Sequence, residues 1–183
     1  GEGGMLLTNN KNFYEGAIQI RNLDFTRERF KHNNLYWNYR LSGIQAALGI
    51  SQIKGLEKTI NQKISQGERY IKLLENNTDI FQLPLLKHNG SVNHFWVFGI
   101  LLQKNGIRDK VVNELLNNGI ETRPFFWPLH MQPVLKKYKI ISEDSLEVSE
   151  KLGSNGFYIP IGDHLSIGDQ KFVAKKLIET VKS

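Results

Sequence analysis

The sequence predicts an α/β fold, and two patterns carry that prediction. From residue 94 onward, aromatic and β-branched runs alternate with amphipathic stretches. His94–Leu102, Ile120–Arg123 and Phe157–Ile161 read as strands; segments near 111–116, 143–152 and 166–181 read as helices. Before residue 77 the dominant period is helical. The expected product is a small sandwich with helices on one face of a mixed or antiparallel sheet, and a boundary between residues 77 and 92.

The elements follow in order. Met5-Leu6-Leu7-Thr8, after the glycines of GEGG, reads as a strand leaving a tight turn. Phe13, Ala17, Ile18 and Ile20 give residues 11–21 a rough helical face. Residues 22–39 are polar and aromatic with no clean period, a long loop of the kind that often carries function. In LSGIQAALGISQIKGLE, Ser42 and Gln45 have the spacing of a capping box, and Leu41 is placed for a hydrophobic staple. Ile44, Ala46, Ala47 and Leu48 make this helix apolar almost all round, which predicts burial, and Gly49 would permit close packing. Leu56, Ile60, Ile64, Gly67, Ile71 and Leu74 form one stripe on a longer helix, 56–76.

Further on, Asn105-Gly106 turns the chain, and Val111, Val112, Leu115 and Leu116 make a short helix closed by Asn118-Gly119. PFFWPLHMQP, residues 124–133, is bounded by prolines and is expected to be an irregular loop. Pro160 suggests that the strand at 157–161 lies at a sheet edge. Ser166 with Asp169 resembles a helix cap, ahead of the apolar Phe172, Val173, Leu177, Ile178 and Val181.

Composition narrows the function classes. The chain has 183 residues, 40% hydrophobic and 23% charged, an ordinary globular balance for one domain or a little more. It has no cysteine, which excludes disulfides and thiolate metal sites and suits a reducing cytoplasm. No apolar run approaches the ~20 residues that span a bilayer. The formal charge is +6. Its basic residues are spread out and interrupted by acids, with no basic stripe interleaved with aromatics; a small anionic ligand suits the charge as well as nucleic acid does, and ordinary solvated faces are the best-supported reading. The five histidines (His32, His88, His94, His130, His164) are too scattered to predict a metal set.

Generic catalytic motifs are absent: no phosphate-binding Gly-Lys-Ser/Thr loop, no Gly-x-Ser-x-Gly, no His-Glu-x-x-His. GEGG is better read as a turn than as a phosphate cradle. Two constellations remain. Arg123 precedes a rigid aromatic loop containing Trp127 and His130. An arginine there can hold phosphate or carboxylate with two hydrogen bonds, and a histidine can bond a hydroxyl or move a proton. The rings of Phe125, Phe126 and Trp127 could stack on a base or sugar, or simply plug a core; the residues alone leave both open. Asn38-Tyr39-Arg40 lies just ahead of the capped helix, where free amides and the dipole attract phosphate, although an ordinary turn is equally consistent.

Taken together, GEGGMLLTNN, NYRLSGIQAALGISQIKGLE, GIETRPFFWPLHMQP and FYIPIGDHLSIGDQ resemble the DegT/StrS-type nucleotide-sugar aminotransferases in order and spacing over the whole chain. The TRPFFWPLHMQP form is most similar to that of the GDP-perosamine synthases in that group. The resemblance implies the C-terminal part of a pyridoxal-phosphate (PLP) enzyme of the aspartate-aminotransferase fold. Residues 1–55 would be the end of the large cofactor-binding domain, 56–90 a connecting helix and linker, and 91–183 a small α/β sandwich domain. It implies a homodimer in which Asn38 reaches the cofactor phosphate of the other subunit. It also makes Arg123, Trp127 and His130 contacts to a nucleotide-diphosphate sugar, with glutamate as the expected amino donor. In that family GEGG follows the Schiff-base lysine closely, so the lysine is expected upstream of Gly1. No lysine present matches its position, no catalytic residue is assigned, and the chain alone is not expected to transaminate. Gly43 replaces the more usual glutamate, without an expected change of reaction.

Two other readings stay open at this level. Relatives with histidine in place of the lysine act as sugar dehydratases. A non-catalytic binding or dimerisation module would need no lysine, but would have to cover the apolar helix at 41–54.

Overall fold

A computed structural model describes residues 3–25, 28, 30–140 and 145–183. The chain divides into two compact units, Gly1–Leu56 and Glu57–Ser183.

Among the described residues the first unit holds two helices. Helix α1 (Lys11–Arg21) starts at Asn10, whose Oδ1 accepts from the amides of Asn12 (2.9 Å) and Phe13 (3.3 Å). Helix α2 (Gly43–Ile53) carries the expected capping box in full. Ser42 Oγ accepts from Gln45 N at 3.3 Å, and Ser42 N donates to Gln45 Oε1 at 2.9 Å. Between them residues 22–39 form no regular element among the described residues. Asp24, almost fully buried, organises that segment: its carboxylate accepts from Gln19 Nε2, from the amides of Asn33 and Asn34, and from Asn34 Nδ2.

Two expectations fail in this unit. Met5–Thr8 forms no strand, because no described residue pairs with it, and Met5 and Leu7 are 87% and 85% exposed. Helix α2 is not buried: Ile44 is 86% exposed and Ile53 69%. Gly49 has no neighbour within 4 Å of where a Cβ would sit, so it serves no close approach in this chain.

The second unit is a four-stranded antiparallel sheet with its own core. Helix α3 (Leu56–Leu74) leads through a 3₁₀ turn at Glu75–Asn77 to strand β1 (Phe81–Gln82). A small hairpin follows, β2 (Lys87–His88) and β3 (Ser91–Val92), turned by Asn89 and Gly90, both at positive φ. Then come β4 (Phe98–Leu102), α4 (Arg108–Asn117), β5 (Arg123–Pro124), a 3₁₀ turn at Leu129–Met131, α5 (Pro133–Lys137), α6 (Glu147–Asn155), β6 (Gly156–Ile159) and α7 (Ile167–Lys182). The strand order is β1-β4-β6-β5, every pairing antiparallel. Of the helix expected at 143–152, residues 143 and 144 lie outside the described residues.

Period-two alternation splits the sheet into two faces. Phe98, Ile100 and Leu102 of β4, with Phe157 and Ile159 of β6, pack into one cluster with Tyr70 and Leu74 of α3, Val111 and Leu115 of α4, and Val173 and Leu177 of α7. Each of these large side chains contributes about 1.5–3 kcal/mol by leaving water. The opposite face, at the paired Gly99 and Tyr158, is left to the segment after β5. Helix α4 ends as expected: Gly119 takes φ +76°, and Ile120 N donates to Leu115 O at 2.9 Å. Helix α7 is capped by a complete box in which Asp169 does the work usually given to Glu or Gln.

Strand β6 corrects another expectation. It is central, flanked by β4 and β5, not an edge. Pro160 lies one residue past its end, so its missing N–H removes no ladder bond. The edge proline is Pro124, in β5.

Candidate active site

The residues singled out in the sequence fall in two places. Asn38 belongs to the first unit; Arg123, Trp127 and His130 belong to the second.

In the first unit a cavity of about 800 Å³ is lined by Gly3, Gly4, Tyr14, Arg21, Asn38 and Arg40, among others. Asn38 Oδ1 accepts from Arg40 N and from Arg40 Nε, each at 3.3 Å, so the asparagine holds the arginine side chain in place. No acidic residue lines the cavity among the described residues. Two guanidinium groups, an amide and glycine backbone make a surface that favours an anion. Arg21, at the last turn of α1, went unnoticed in the sequence because its role depends on the chain folding back some 17 residues later.

In the second unit the proline-bounded segment is more ordered than expected. It contains a 3₁₀ turn and runs into α5, which begins at Pro133, where a missing N–H costs nothing. Trp127 Nε1 donates to Met131 O at 3.2 Å, closing the turn on itself. The segment is also held against its surroundings. Phe125 lies over Gly99 and Gly156, where a Cβ would collide with its ring. Pro128 Cδ would lie 2.8 Å from a Cβ at Gly153. Phe125 and Tyr158 rings meet with centroids 5.6 Å apart. So some of these aromatics do cover the sheet, while Phe126 and Trp127 remain 74% and 49% exposed.

Arg123, at the start of β5, is exposed and pairs with Glu121 at 2.7 Å. His130 differs: its side chain is 12% exposed and its Nε2 lies 2.9 Å from Glu150 Oε1. The same oxygen accepts from Leu146 N (3.0 Å) and Ser145 Oγ (3.2 Å). These bonds, His130 first, hold the Glu150 carboxyl below the usual carboxylate range. Glu150 was missed in the sequence, where nothing links it to a histidine twenty positions earlier.

Among the described residues no group of three or more His, Asp or Glu side chains is placed to hold a metal ion. No helix among them is long and apolar enough to cross a membrane.

Comparison with known proteins agrees with this architecture. A GDP-perosamine synthase of Escherichia coli O157:H7 is 28% identical over 182 residues, covering 98% of this chain and 47% of the relative. One from Vibrio cholerae is 28% identical over 166 residues, covering 87% of this chain and 43% of the relative. The crystal structure of NtdA from Bacillus subtilis, with bound cofactor PMP, superposes with a TM-score of 0.82 at 23% identity, over 96% of this chain and 41% of that one. The chain thus spans about half the length of the curated relatives it matches. The model of the DegT/DnrJ/EryC1/StrS aminotransferase family matches residues 1–178, and the chain belongs to that family.

Proposed function

We propose that this chain forms part of a PLP-dependent enzyme that transfers an amino group, from glutamate, to a nucleotide-linked keto sugar. The observation that carries the reading is the family match over residues 1–178, with GDP-perosamine synthases among the relatives aligned along most of the chain.

In this reading residues 1–55 are the end of the cofactor-binding domain, 56–90 the connection, and 91–183 the small domain. The first-unit cavity fits the phosphate end of the cofactor: Asn38, with Arg21 and Arg40 beside it, would meet a phosphate, across a homodimer in Asn38's case. It does not fit the whole cofactor, since no lysine lines it among the described residues. On this reading transamination would require a Schiff-base lysine at the cofactor, and this chain without one would not transaminate. Bound PLP would supply the electron sink for the carbon that loses or gains the amine. Arg123 would hold an anionic part of the nucleotide, Trp127 would stack on a flat or apolar face, and His130 would bond a sugar hydroxyl. The exposed apolar face of α2 supports a further covering surface, and the cysteine-free composition supports a cytoplasmic setting.

The test uses the protein expressed from the whole reading frame that encodes this sequence, with PLP, ¹⁵N-glutamate and a GDP-4-keto-6-deoxy sugar. Mass spectrometry should find the label in an amino sugar. Unlabelled or merely dehydrated sugar, from protein that has bound PLP, contradicts the reading.

A further inference from the structure

The segment holding Trp127 and His130 is seated along one stripe of α6 and its end. Glu150, Gly153 and Gly156 are spaced by three, so they share a face of the helix as it runs into β6. Glu150 bonds His130, Gly153 makes room for Pro128, and Gly156 makes room for Phe125. The two glycines set the height of the segment, and the carboxylate sets the orientation of one ring.

The chemistry of that contact is directional. An ionised carboxylate only accepts hydrogen bonds, so His130 Nε2 must carry the proton it shares with Glu150. Glu150 Oε1 already gathers three donors: His130 Nε2, Leu146 N and Ser145 Oγ. A neutral imidazole with a proton on Nε2 has a lone pair on Nδ1. No described residue bonds Nδ1.

We propose that Glu150 is a positioning residue that fixes His130 as the Nε2–H tautomer and so makes Nδ1 a hydrogen-bond acceptor for a hydroxyl of the ligand. The hydroxyl rests on the sugar reading given above; the tautomer does not. Glu150 acts only through His130 and through the start of α6. A histidine set this way selects for a donor at one place in the ligand, and it would disfavour an analogue in which that hydroxyl is replaced by an acceptor.

The tautomer can be read on this chain as it stands. Long-range ¹H–¹⁵N correlation of the labelled protein at pH 8.5, with His130 assigned from the signal lost in H130Q, should show a protonated Nε2 and an unprotonated Nδ1. In E150A the His130 pattern should move to the averaged form shown by the exposed His88 and His94. In E150Q it should stay, because Leu146 N and Ser145 Oγ require an oxygen at the same place and so orient the amide. A protonated Nδ1 in the wild type, or an unchanged His130 pattern in E150A, overturns the proposal. If E150A does not fold, wild type and E150Q still decide it. In the complete enzyme, E150A should raise KM for the keto sugar several-fold, up to about tenfold as for one lost hydrogen bond, and more than it lowers kcat. A loss confined to kcat contradicts the acceptor role. Failure of the labelled-glutamate experiment would remove the sugar and leave the tautomer result standing.

Discussion

Gly67 and Phe95 meet with no space between them: a Cβ on Gly67 would collide with the Phe95 ring. Phe95 is fully buried, at φ +49°, a backbone region that phenylalanine rarely adopts. Three bonds hold it there. Its amide donates to Asn93 Oδ1 at 2.8 Å, and Lys63 Nζ donates to the carbonyls of Phe95 (3.3 Å) and Trp96 (3.0 Å). The missing side chain at 67 is what lets α3 receive the turn before β4.

Gly67→Ala should therefore destabilise the second unit by about 1–3 kcal/mol, the usual effect of overpacking, despite the better helix propensity of alanine. Gly49→Ala has no such neighbour and should gain up to about 1 kcal/mol for α2. Urea unfolding of both variants checks the opposite signs. Equal effects would mean that the Phe95 contact does not govern position 67.

Gln66, 3% exposed, ties α3 to the turn after β6. Its Nε2 donates to Gly162 O at 2.8 Å, and its Oε1 accepts from Gly162 N at 3.1 Å. Gln66→Leu should cost about 1–3 kcal/mol, because the half-buried amide and carbonyl groups at Gly162 lose their partners. Amide exchange at Gly162 should accelerate more than exchange in β4. Uniform acceleration would point to global loosening instead.

The depressed Glu150 carboxyl has a consequence for acid stability. A carboxyl whose pKa is lower folded than unfolded adds stability that is fully present above its ordinary value, about 4.3, and is lost as pH falls through the lower folded value. Thermal melts between pH 6 and pH 3 should fall less steeply in Glu150→Gln than in the wild type. Parallel curves would show that the contact with His130 does not survive in solution.

Helix α2 presents Ile44, Leu48, Ile50 and Ile53 largely to solvent. A chain with such a face should self-associate. Replacing Ile44 and Ile53 with lysine should shift sedimentation toward the monomer without loss of helicity, since both sites are exposed. Unchanged association would place the sticky surface elsewhere.

These relationships differ in how openly the sequence shows them. Local chemistry was readable: the capping boxes at Ser42 and Ser166, the end of α4 at Gly119, and the stripe of α3 each depend on neighbours within a few residues. Met5–Thr8 and α2 misled for a common reason. Their apolar patterns read as buried, and no described residue covers them. Pro160 misled because one residue of shift separates a broken ladder from an intact one. The Asn89-Gly90 hairpin is equally local, its turn set by two adjacent residues at positive φ. At the site, Asn38, Arg123, Trp127 and His130 stand out in the sequence through the pre-helix turn and the proline-fixed aromatic loop, and their expected roles rest on motif resemblance. Arg21 and Glu150 could come only from the fold, because their partners lie about twenty residues away.

The most direct test of the account follows the cofactor spectrum of protein from the whole reading frame, loaded with PLP. Adding glutamate should convert the absorbance to that of the aminated cofactor, and adding a GDP-4-keto-6-deoxy sugar should then restore the original spectrum. A spectrum that glutamate leaves unchanged, or an aminated cofactor that the keto sugar does not discharge, would contradict assignment as a sugar aminotransferase.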